Sequence, residues 1–397
     1  MLFSLAIIFL VGSLLGKLFE FFGLPRLIGM LLTGVVLGPY VGNVIADPLL
    51  YISADLRQIA LIIILTRAGL SLNLSDLRKV GRPALLMCFV PATLEIIGTL
   101  LLAPQLLGFS LLEAAILGTV IAAVSPAVVV PKMLGLMQKG YGTRKSIPQM
   151  VLAGASVDDV YVIVLFTAFT SLAGGGDLRP TAILTVPIAI GMGILGGALC
   201  GFLLTTLFSR MHIRDTTKVG ILLSVAFLLV SVEQALEGII GFSGLLAVMA
   251  LGVVVQHQKT KVAERLSRKF SKMWVGAEVL LFVLVGATVN IQYATRAGIA
   301  PVVLIMGTLV FRMVGVYISL MYTNLTKNEK FFTAIAYTPK ATVQAAIGGI
   351  PLALGLPGGE MILTVAVIAI IITAPIGALL IDKTHPVLLE RTVRNTL

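Results

Sequence analysis

Two adjacent carboxylates, Asp158 and Asp159, lie near the middle of an apolar run of the sequence. Carboxylates, a hydroxyl such as that of Ser125 and carbonyls freed from a helix are the oxygen ligands that a hard cation such as sodium or lithium prefers. A buried carboxylate binds either a proton or a cation, because either one offsets the cost of burying its charge. Exchange of the two follows if such a site opens to one side of a membrane at a time. Adjacent helical residues point about 100° apart, so only one acid can face a given crevice squarely.

The composition predicts that these acids lie in an integral membrane protein. The chain has 397 residues, of which 58% are hydrophobic and 12% are charged. That is about half the charged share of a soluble domain, and a globule of this size cannot hide so much apolar surface. Enzyme classes that need a large water-facing domain are therefore excluded. The two cysteines, Cys88 and Cys200, lie in separate apolar runs without metal-ligand spacing, so no cofactor is expected.

Glycines, prolines and charged clusters divide the chain into thirteen apolar segments, which predict an all-α polytopic fold. Each approaches the roughly 20 mainly apolar residues that a membrane-crossing helix needs. The predicted spans are 3–22, 24–44, 54–72, 82–107, 110–136, 148–173, 179–208, 217–237, 239–257, 268–291, 297–325, 330–355 and 359–382.

The basic residues predict the orientation of these spans. Of the 29 lysines and arginines, 23 lie in the loops after odd-numbered spans or within the span ends that flank those loops, whereas the loops after even-numbered spans have only Arg179 and Arg296. By the positive-inside rule, the N-terminus is expected outside and the C-terminus in the cytoplasm, with the protein in the cell (inner) membrane. The net charge of +11 is then an orientation signal that also contacts anionic lipid on the cytoplasmic side. Nucleic-acid binding is not expected.

Further charged side chains are predicted at membrane depth. They are Arg67, Glu95, Glu278, Arg312 and Lys340. A charge at the bilayer centre costs roughly 2.5 kcal/mol or more, so such residues normally pair, line a cavity or mark an ion path. Arg312 is the expected partner of Asp158 or Glu95, and Glu95 has Arg67, Arg312 and Lys340 as alternative partners. A structural ion pair is the favoured interpretation of Glu278.

Prolines are predicted to break spans 5 and 12 near mid-membrane, since proline removes a backbone donor and clashes with the preceding turn. The residues predicted to form the crossover of the two breaks are Pro126, Pro131, Thr338, Pro339 and Thr342. Unwound backbone is tolerated at this depth only when it is buried in protein or lines a cavity. Lys340 is placed to offset the carbonyl ends at this crossover, and a carboxylate would offset the amide ends.

The two breaks lie seven spans apart, which is an odd number. Spans 1 to 6 and 8 to 13 are therefore predicted to be two inverted repeats joined by span 7. Interrupted segments at matching positions of inverted halves are typical of the binding site of a secondary transporter. The predicted boundaries are 1–178 for the first repeat, 179–216 for the linker span, and 217–397 for the second repeat with a short cytoplasmic tail.

Four motifs, in order along the chain, resemble the monovalent cation/proton antiporter superfamily, and within it the NHA-type sodium/proton exchangers. They are Leu65-Thr-Arg67-Ala-Gly69-Leu, Ser125-Pro-Ala-Val-Val-Val-Pro131, Ser156-Val-Asp158-Asp159 and Pro339-Lys340-Ala-Thr-Val-Gln344-Ala-Ala-Ile-Gly348. The resemblance covers essentially the whole chain. It implies a core domain from spans 4–6 and 11–13, a dimerisation domain from spans 1–3 and 8–10, a homodimer and elevator-like alternating access.

The resemblance also implies roles for the site residues. Asp159 would be the indispensable acid that binds cation and proton. Asp158 stands where electrogenic members have Asp and electroneutral members have Asn, which implies electrogenic exchange. Arg312 stands where many relatives with the acid pair have lysine, although a guanidinium hardly deprotonates in proteins.

The predicted function is exchange of sodium, or lithium, for protons. The alternatives with the same architecture are a potassium/proton exchanger and a sodium-coupled organic-anion symporter. An intramembrane aspartyl protease needs two carboxylates face to face, usually from separate helices, whereas Asp158 and Asp159 share one predicted helix. A channel is disfavoured because a deep charge cluster suits binding and release better than conduction.

Overall fold

The computed structural model describes residues 1–72, 81–173, 180–211, 213–236, 241–296 and 298–391. Apart from turns, loops and an isolated antiparallel bridge between Tyr141 and Arg391, the described residues are helical. Arg179 lies outside them, as does the predicted boundary between residues 178 and 179. The helices are α1 Leu2–Phe21, α2 Arg26–Leu37, α3 Asp47–Tyr51, α4 Ser53–Ser71, α5 Arg82–Met87, α6 Val90–Leu107, α7 Leu111–Ala122, α8 Pro126–Lys139, α9 Ile147–Ala173, α10 Pro180–Arg210, α11 Asp215–Ala235, α12 Gly244–Gln258, α13 Thr260–Ala287, α14 Ile291–Arg296, α15 Ala300–Ser319, α16 Lys327–Ala336, α17 Thr342–Ile347, α18 Ile350–Ala353 and α19 Gly359–Leu388.

Within the described ranges, nine helical stretches are long and apolar enough to cross a membrane. They are Leu2–Phe21, Arg82–Leu107, Leu111–Lys139, Ile147–Ala173, Ile188–Arg210, Asp215–Glu233, Thr260–Ala287, Ala300–Ser319 and Gly359–Leu388. The prediction of an all-helical polytopic membrane protein is confirmed. Each of the thirteen predicted spans overlaps one of these stretches, a shorter apolar helix or α4, whose apolar run is interrupted by Asp55, Arg57 and Arg67. The count of thirteen crossings stays a prediction.

The start of α13 differs from the predicted span boundary. The helix begins at Thr260, whereas the apolar span was predicted from residue 268. The first turns of α13 contain Lys261, Glu264 and Arg265, which favour helix, so the helix continues beyond its apolar part into the basic segment. Hydropathy marks the apolar part of a helix and does not mark where the helix itself ends.

One compact unit comprises Met1–Ala54, Asp76–Phe166 and Phe282–Leu397. In this unit α6 packs along α15. A side chain at Gly315 of α15 would place its Cβ 2.6 Å from the Cα of Pro91, so glycine is required for this close approach. The contact brings the polar positions of α6 and α15 into the same interior.

A second compact unit comprises Asp55–Ser75 and Thr167–Leu281. Here α10 packs along α12 through Gly193, Gly197 and Gly201, which recur every fourth residue on one helix face. A Cβ at Gly193 would lie 2.6 Å from Ser243 O, and one at Gly201 would lie 2.9 Å from Leu251 O. The unit is therefore built on the small-residue packing common between membrane helices. The predicted division into core and dimerisation domains stays a prediction.

The start of α16 is held by a capping box and an ion pair. Thr326 and Glu329 form the capping box, and Lys145 Nζ lies 2.8 Å from Glu329 Oε2. Burial acts to raise the pKa of Glu329, but hydrogen bonds from Lys145 and Thr326 outweigh it and lower the pKa below its ordinary value of 4.5. A lowered folded-state pKa means that this carboxylate stabilises the protein above its unfolded pKa and loses that effect as the pH falls.

The variant Glu329→Gln is expected to lower the apparent Tm at pH 7 and to differ less from the native protein at pH 3, where protonation of Glu329 removes charge in the folded state as well. Glutamine retains most of the capping geometry, so the change isolates the charge paired with Lys145. The expected loss at pH 7 is about 1.5–3 kcal/mol, the range for a hydrogen bond to a charged group. Thermal unfolding of both proteins at the two pH values measures it, and a difference that is the same at both would contradict the account.

Candidate ion-binding site

The first interruption separates α7 from α8. Between Ala122 and Pro126 the chain is extended, with φ −76° and ψ 142° at Ala123. Pro126 is the first residue of α8, where its missing N–H is not needed. The ring of Pro126 also disfavours helical geometry at the preceding residue, and Ser125 accordingly has φ −85° and ψ 111°.

The second interruption separates α16 from α17. The residues between them, 337–341, include Thr338, Pro339 and Lys340, and Thr342 is the first residue of α17. The two interruptions touch, because the backbone N–H of Ser125 donates to Pro339 O at 2.8 Å. Broken backbone at this depth is thus partly satisfied by the other broken helix, as buried irregular backbone requires.

Three side chains donate to the carbonyls freed at the end of α7. The pairs are Lys340 Nζ with Ile121 O, Arg312 Nη1 with Ala122 O, and Gln344 Nε2 with Ala123 O. Two of these donors are cations, which the carbonyl end of a helix favours. On the amide side, the N–H of Val124 donates to Asp158 Oδ2 at 2.9 Å. The freed carbonyl groups therefore accept from two cations and one amide, and the freed Val124 N–H donates to a carboxylate.

The charged side chains form one buried network. Arg312 Nη1 lies 2.9 Å from Glu95 Oε2, and Arg312 Nη2 lies 2.8 Å from Asp158 Oδ2. Lys340 Nζ lies 2.6 Å from Glu95 Oε1. All four side chains have 0% exposure, so their charges interact with little screening by water. Two bases balance two acids, which makes burial of the whole network tolerable.

The neighbouring acids differ in how they are held. Asp158 has 0% exposure, and its Oδ2 accepts from both Arg312 and the Val124 N–H. Asp159 is partly exposed, and its Oδ1 accepts no hydrogen bond from any described residue. Asp159 therefore adds a negative charge that the two bases do not already balance. Of the two acids, Asp159 is the one whose charge has no ion pair among the described residues.

Several buried oxygens around the interruptions have no hydrogen-bond partner among the described residues. They are Ser125 Oγ, Asp158 Oδ1, Asp159 Oδ1, Tyr337 OH, Thr342 Oγ1 and Gln344 Oε1. A buried polar atom without a partner costs about 1–3 kcal/mol, so such a concentration needs an explanation. A donor set composed only of oxygens has the chemistry that binds a hard cation or a proton with its water.

Pro131 does not belong to the crossover, contrary to the prediction. It lies inside α8, past the interruption, and its side chain is exposed. The helix continues through Pro131 and loses one backbone hydrogen bond there. In a membrane protein, neighbouring groups can hydrogen-bond the carbonyl that is left without a donor. The break is set by Pro126, whose ring acts on the residue before it.

The described ion pairs of Glu95 are with Arg312 and Lys340. Arg67 lies on α4 and interacts electrostatically with Glu278 of α13 in the second compact unit. The role of Arg67 as a supporting charge of the site stays a prediction. The favoured pairing of Glu278 as a structural ion pair fits this interaction.

Sequence reasoning did not assign roles to Gln344, Tyr337 and Thr373. Gln344 caps Ala123 at 2.9 Å, the backbone O of Tyr337 accepts from Arg312 Nε at 2.6 Å, and Thr373 Oγ1 accepts from Lys340 N at 2.9 Å. A polar residue in an apolar helix was the available signal for Gln344 and Thr373. Nothing in the sequence indicated that the Tyr337 hydroxyl would be buried.

A family profile described as "Sodium/hydrogen exchanger, transmembrane" matches residues 5–382 of the chain. The chain belongs to this family. Sodium/hydrogen exchanger 9B2 of Mus musculus is 32% identical to this exchanger over 413 residues, covering 100% of this chain and 75% of the relative. Sodium/hydrogen exchanger 9B2 of Homo sapiens is 34% identical over 410 residues, covering 98% and 75%.

A solved structure of the sodium proton antiporter MjNhaP1 from Methanocaldococcus jannaschii at pH 8 is similar to this exchanger with a TM-score of 0.84. The match covers 97% of this chain and 96% of that chain at 19% identity, so it shows a shared fold. The resemblance to monovalent cation/proton antiporters is confirmed. The exchanger is a membrane transporter and not an enzyme, which removes the aspartyl protease alternative.

Proposed function

We propose that this exchanger moves sodium (or lithium) across the membrane in exchange for protons. The observation that carries the proposal is a set of buried oxygens that have no hydrogen-bond partner among the described residues and lie where two interrupted helices meet. Beside them, Asp159 has no ion pair within the same part of the chain. The relatives are named as sodium/hydrogen exchangers, and the similar solved structure is of a sodium proton antiporter. Such exchange serves pH homeostasis, and no resident cofactor takes part.

In the proposed cycle, Asp159 binds the cation as a carboxylate and carries a proton when the cation leaves. Ser125 and Thr342 hydroxyls and the free Oδ1 of Asp158 supply further oxygens. Arg312 holds Asp158 through Oδ2 and leaves Oδ1 available. Exchange is electrogenic when both acids release a proton for each cation bound, because two charges then move against one.

The proposed architecture has thirteen crossings, with inverted repeats in spans 1–6 and 8–13 and a linker in span 7. Spans 4–6 and 11–13 form the core that moves in alternating access, and spans 1–3 and 8–10 form the dimerisation surface of a homodimer. The N-terminus lies outside and the C-terminus in the cytoplasm of the inner membrane, with anionic lipid on the basic side. The odd separation of the breaks and the alternation of basic residues support these proposals.

The function is tested with purified protein in vesicles that contain a pH-sensitive dye. Sodium and lithium gradients are expected to drive proton movement, and a potassium gradient is expected to drive none. Proton movement with potassium alone would favour a potassium/proton exchanger instead. Sodium uptake that needs an organic anion and moves no protons would favour the symporter.

Electrogenicity is tested by setting the membrane potential with potassium and valinomycin. The rate of sodium/proton exchange by the native protein is expected to depend on the potential. The variant Asp158→Asn is expected to exchange at a rate that no longer depends on the membrane potential, because one fewer proton moves in each cycle. If the exchange rate of the native protein did not change with the membrane potential, electrogenic exchange would be contradicted, but sodium/proton exchange would not.

A further inference from the structure

Tyr337 places its hydroxyl in the protein interior, where no described residue forms a hydrogen bond with it. The side chain has 0% exposure, and its OH has no hydrogen bond with any described residue. Arg312 contacts this residue at its backbone and at its ring. Arg312 Nε donates to the Tyr337 backbone O at 2.6 Å, and Arg312 Cζ lies 5.4 Å from the ring centroid. The backbone and the ring of Tyr337 therefore both contact the arginine that holds Asp158.

The hydroxyl lies against α9 on the face that carries Asp158. A Cβ at Gly154 would overlap the Tyr337 OH, so the missing side chain of this glycine makes the space for the oxygen. Gly154 and Asp158 are four residues apart on one helix and share a face. The hydroxyl also interacts electrostatically with Asp158 and Asp159. It thus lies one turn from the acid pair, toward the N-terminal end of α9.

Packing does not explain this oxygen. Phenylalanine would fill the same space, and it would avoid the cost of burying a hydroxyl without a partner. A phenol both donates and accepts, so it can hydrogen-bond a water, a protonated carboxyl or a hydrated cation. These are the species that enter and leave an exchange site, and the proposed cycle does not yet use this group.

We propose that the Tyr337 hydroxyl is a further binding group for the exchanged ions, holding a water or hydrated cation beside the acid pair on the N-terminal side of α9. The inference rests on the proposed sodium/proton exchange. It predicts that the oxygen contributes to cation affinity and to the pH dependence of exchange, and that it contributes nothing to folding.

The test compares Tyr337→Phe with Tyr161→Phe, each of which removes a single oxygen. Tyr161 also lies on α9, but its OH shares a 2.8 Å hydrogen bond with Thr93. In vesicles, Tyr337→Phe is expected to raise the sodium KM about fivefold to tenfold, the effect of one hydrogen bond, and to shift the pH profile. Its Tm without sodium is expected to equal or exceed the native value. Tyr161→Phe is expected to lower the Tm and to leave the sodium KM unchanged.

A native sodium KM and pH profile in Tyr337→Phe would overturn the inference. So would a lowered Tm with an unchanged KM, because that result would assign the hydroxyl to folding. Gly154→Ala tests the same oxygen in a second way. The Cβ of the new alanine would displace the Tyr337 hydroxyl, so this variant is also expected to raise the sodium KM. Absence of exchange in both the native protein and Tyr161→Phe would instead overturn the proposed function, and the inference with it.

Discussion

Replacing Arg312 with methionine is expected to lower the free energy of unfolding by about 3–5 kcal/mol, the cost of removing one partner from a buried ion pair. Arg312 donates to Glu95, Asp158, Ala122 O and Tyr337 O. Methionine fills a similar volume but leaves buried carboxylates without their base and two carbonyls without a donor. Lys340 remains near Glu95 and can compensate for only part of the lost charge.

Arg265→Met is the matched control for Arg312→Met. Arg265 also pairs with a carboxylate, Asp215, at 2.7 Å, but its side chain is 44% exposed. Exposed pairs contribute little to stability because water and salt screen them, so this variant is expected to stay close to the native Tm. Thermal unfolding of the purified proteins in detergent measures both. Equal losses in the two variants would show that the buried network does not hold the crossover together.

Asp159→Asn is expected to reduce sodium-driven proton movement to the leak rate of vesicles without protein. Asparagine has nearly the same shape but cannot carry the exchanged proton, and its neutral amide binds a cation weakly. Because Asp159 Oδ1 accepts no hydrogen bond from a described residue, the change removes no protein contact at that oxygen. The fold is therefore expected to survive, which the native Tm in sodium-free buffer checks.

Glu20→Gln is the control for loss of one negative charge. Glu20 lies in an exposed pair with Lys17, at 3.0 Å on α1. Vesicles with this variant are expected to exchange at the native rate, whereas those with Asp159→Asn are not. Native rates in both variants would remove Asp159 from the site and leave the family assignment untouched.

The interruptions could be predicted because proline acts locally. Pro126 and Pro339 change the geometry of their own neighbours, so their positions alone indicate where α7 and α16 end. The same reasoning failed at Pro131, where the helix continues. Whether a proline breaks or only weakens a helix depends on what replaces the missing hydrogen bond, and that information lies in other helices.

The buried charges could be predicted individually, but their pairing could not. Sequence indicates that Glu95, Arg312 and Lys340 must find partners, since each is costly alone. It does not give distances between helices, and so it left Arg67 as a candidate partner of Glu95. The sequence also could not predict which of the two adjacent acids pairs with Arg312. Adjacent residues on α9 differ only in the direction they point, and the sequence does not give the positions of the neighbouring helices.

One site of buried oxygens is proposed to hold either a cation or a proton. Calorimetry of sodium binding in buffers of different ionisation enthalpy counts the protons released by each sodium bound. The account predicts release of at least one proton by the native protein, and no sodium binding by Asp159→Asn. Sodium binding with the same heat in every buffer would mean that no proton leaves, and it would contradict the claim.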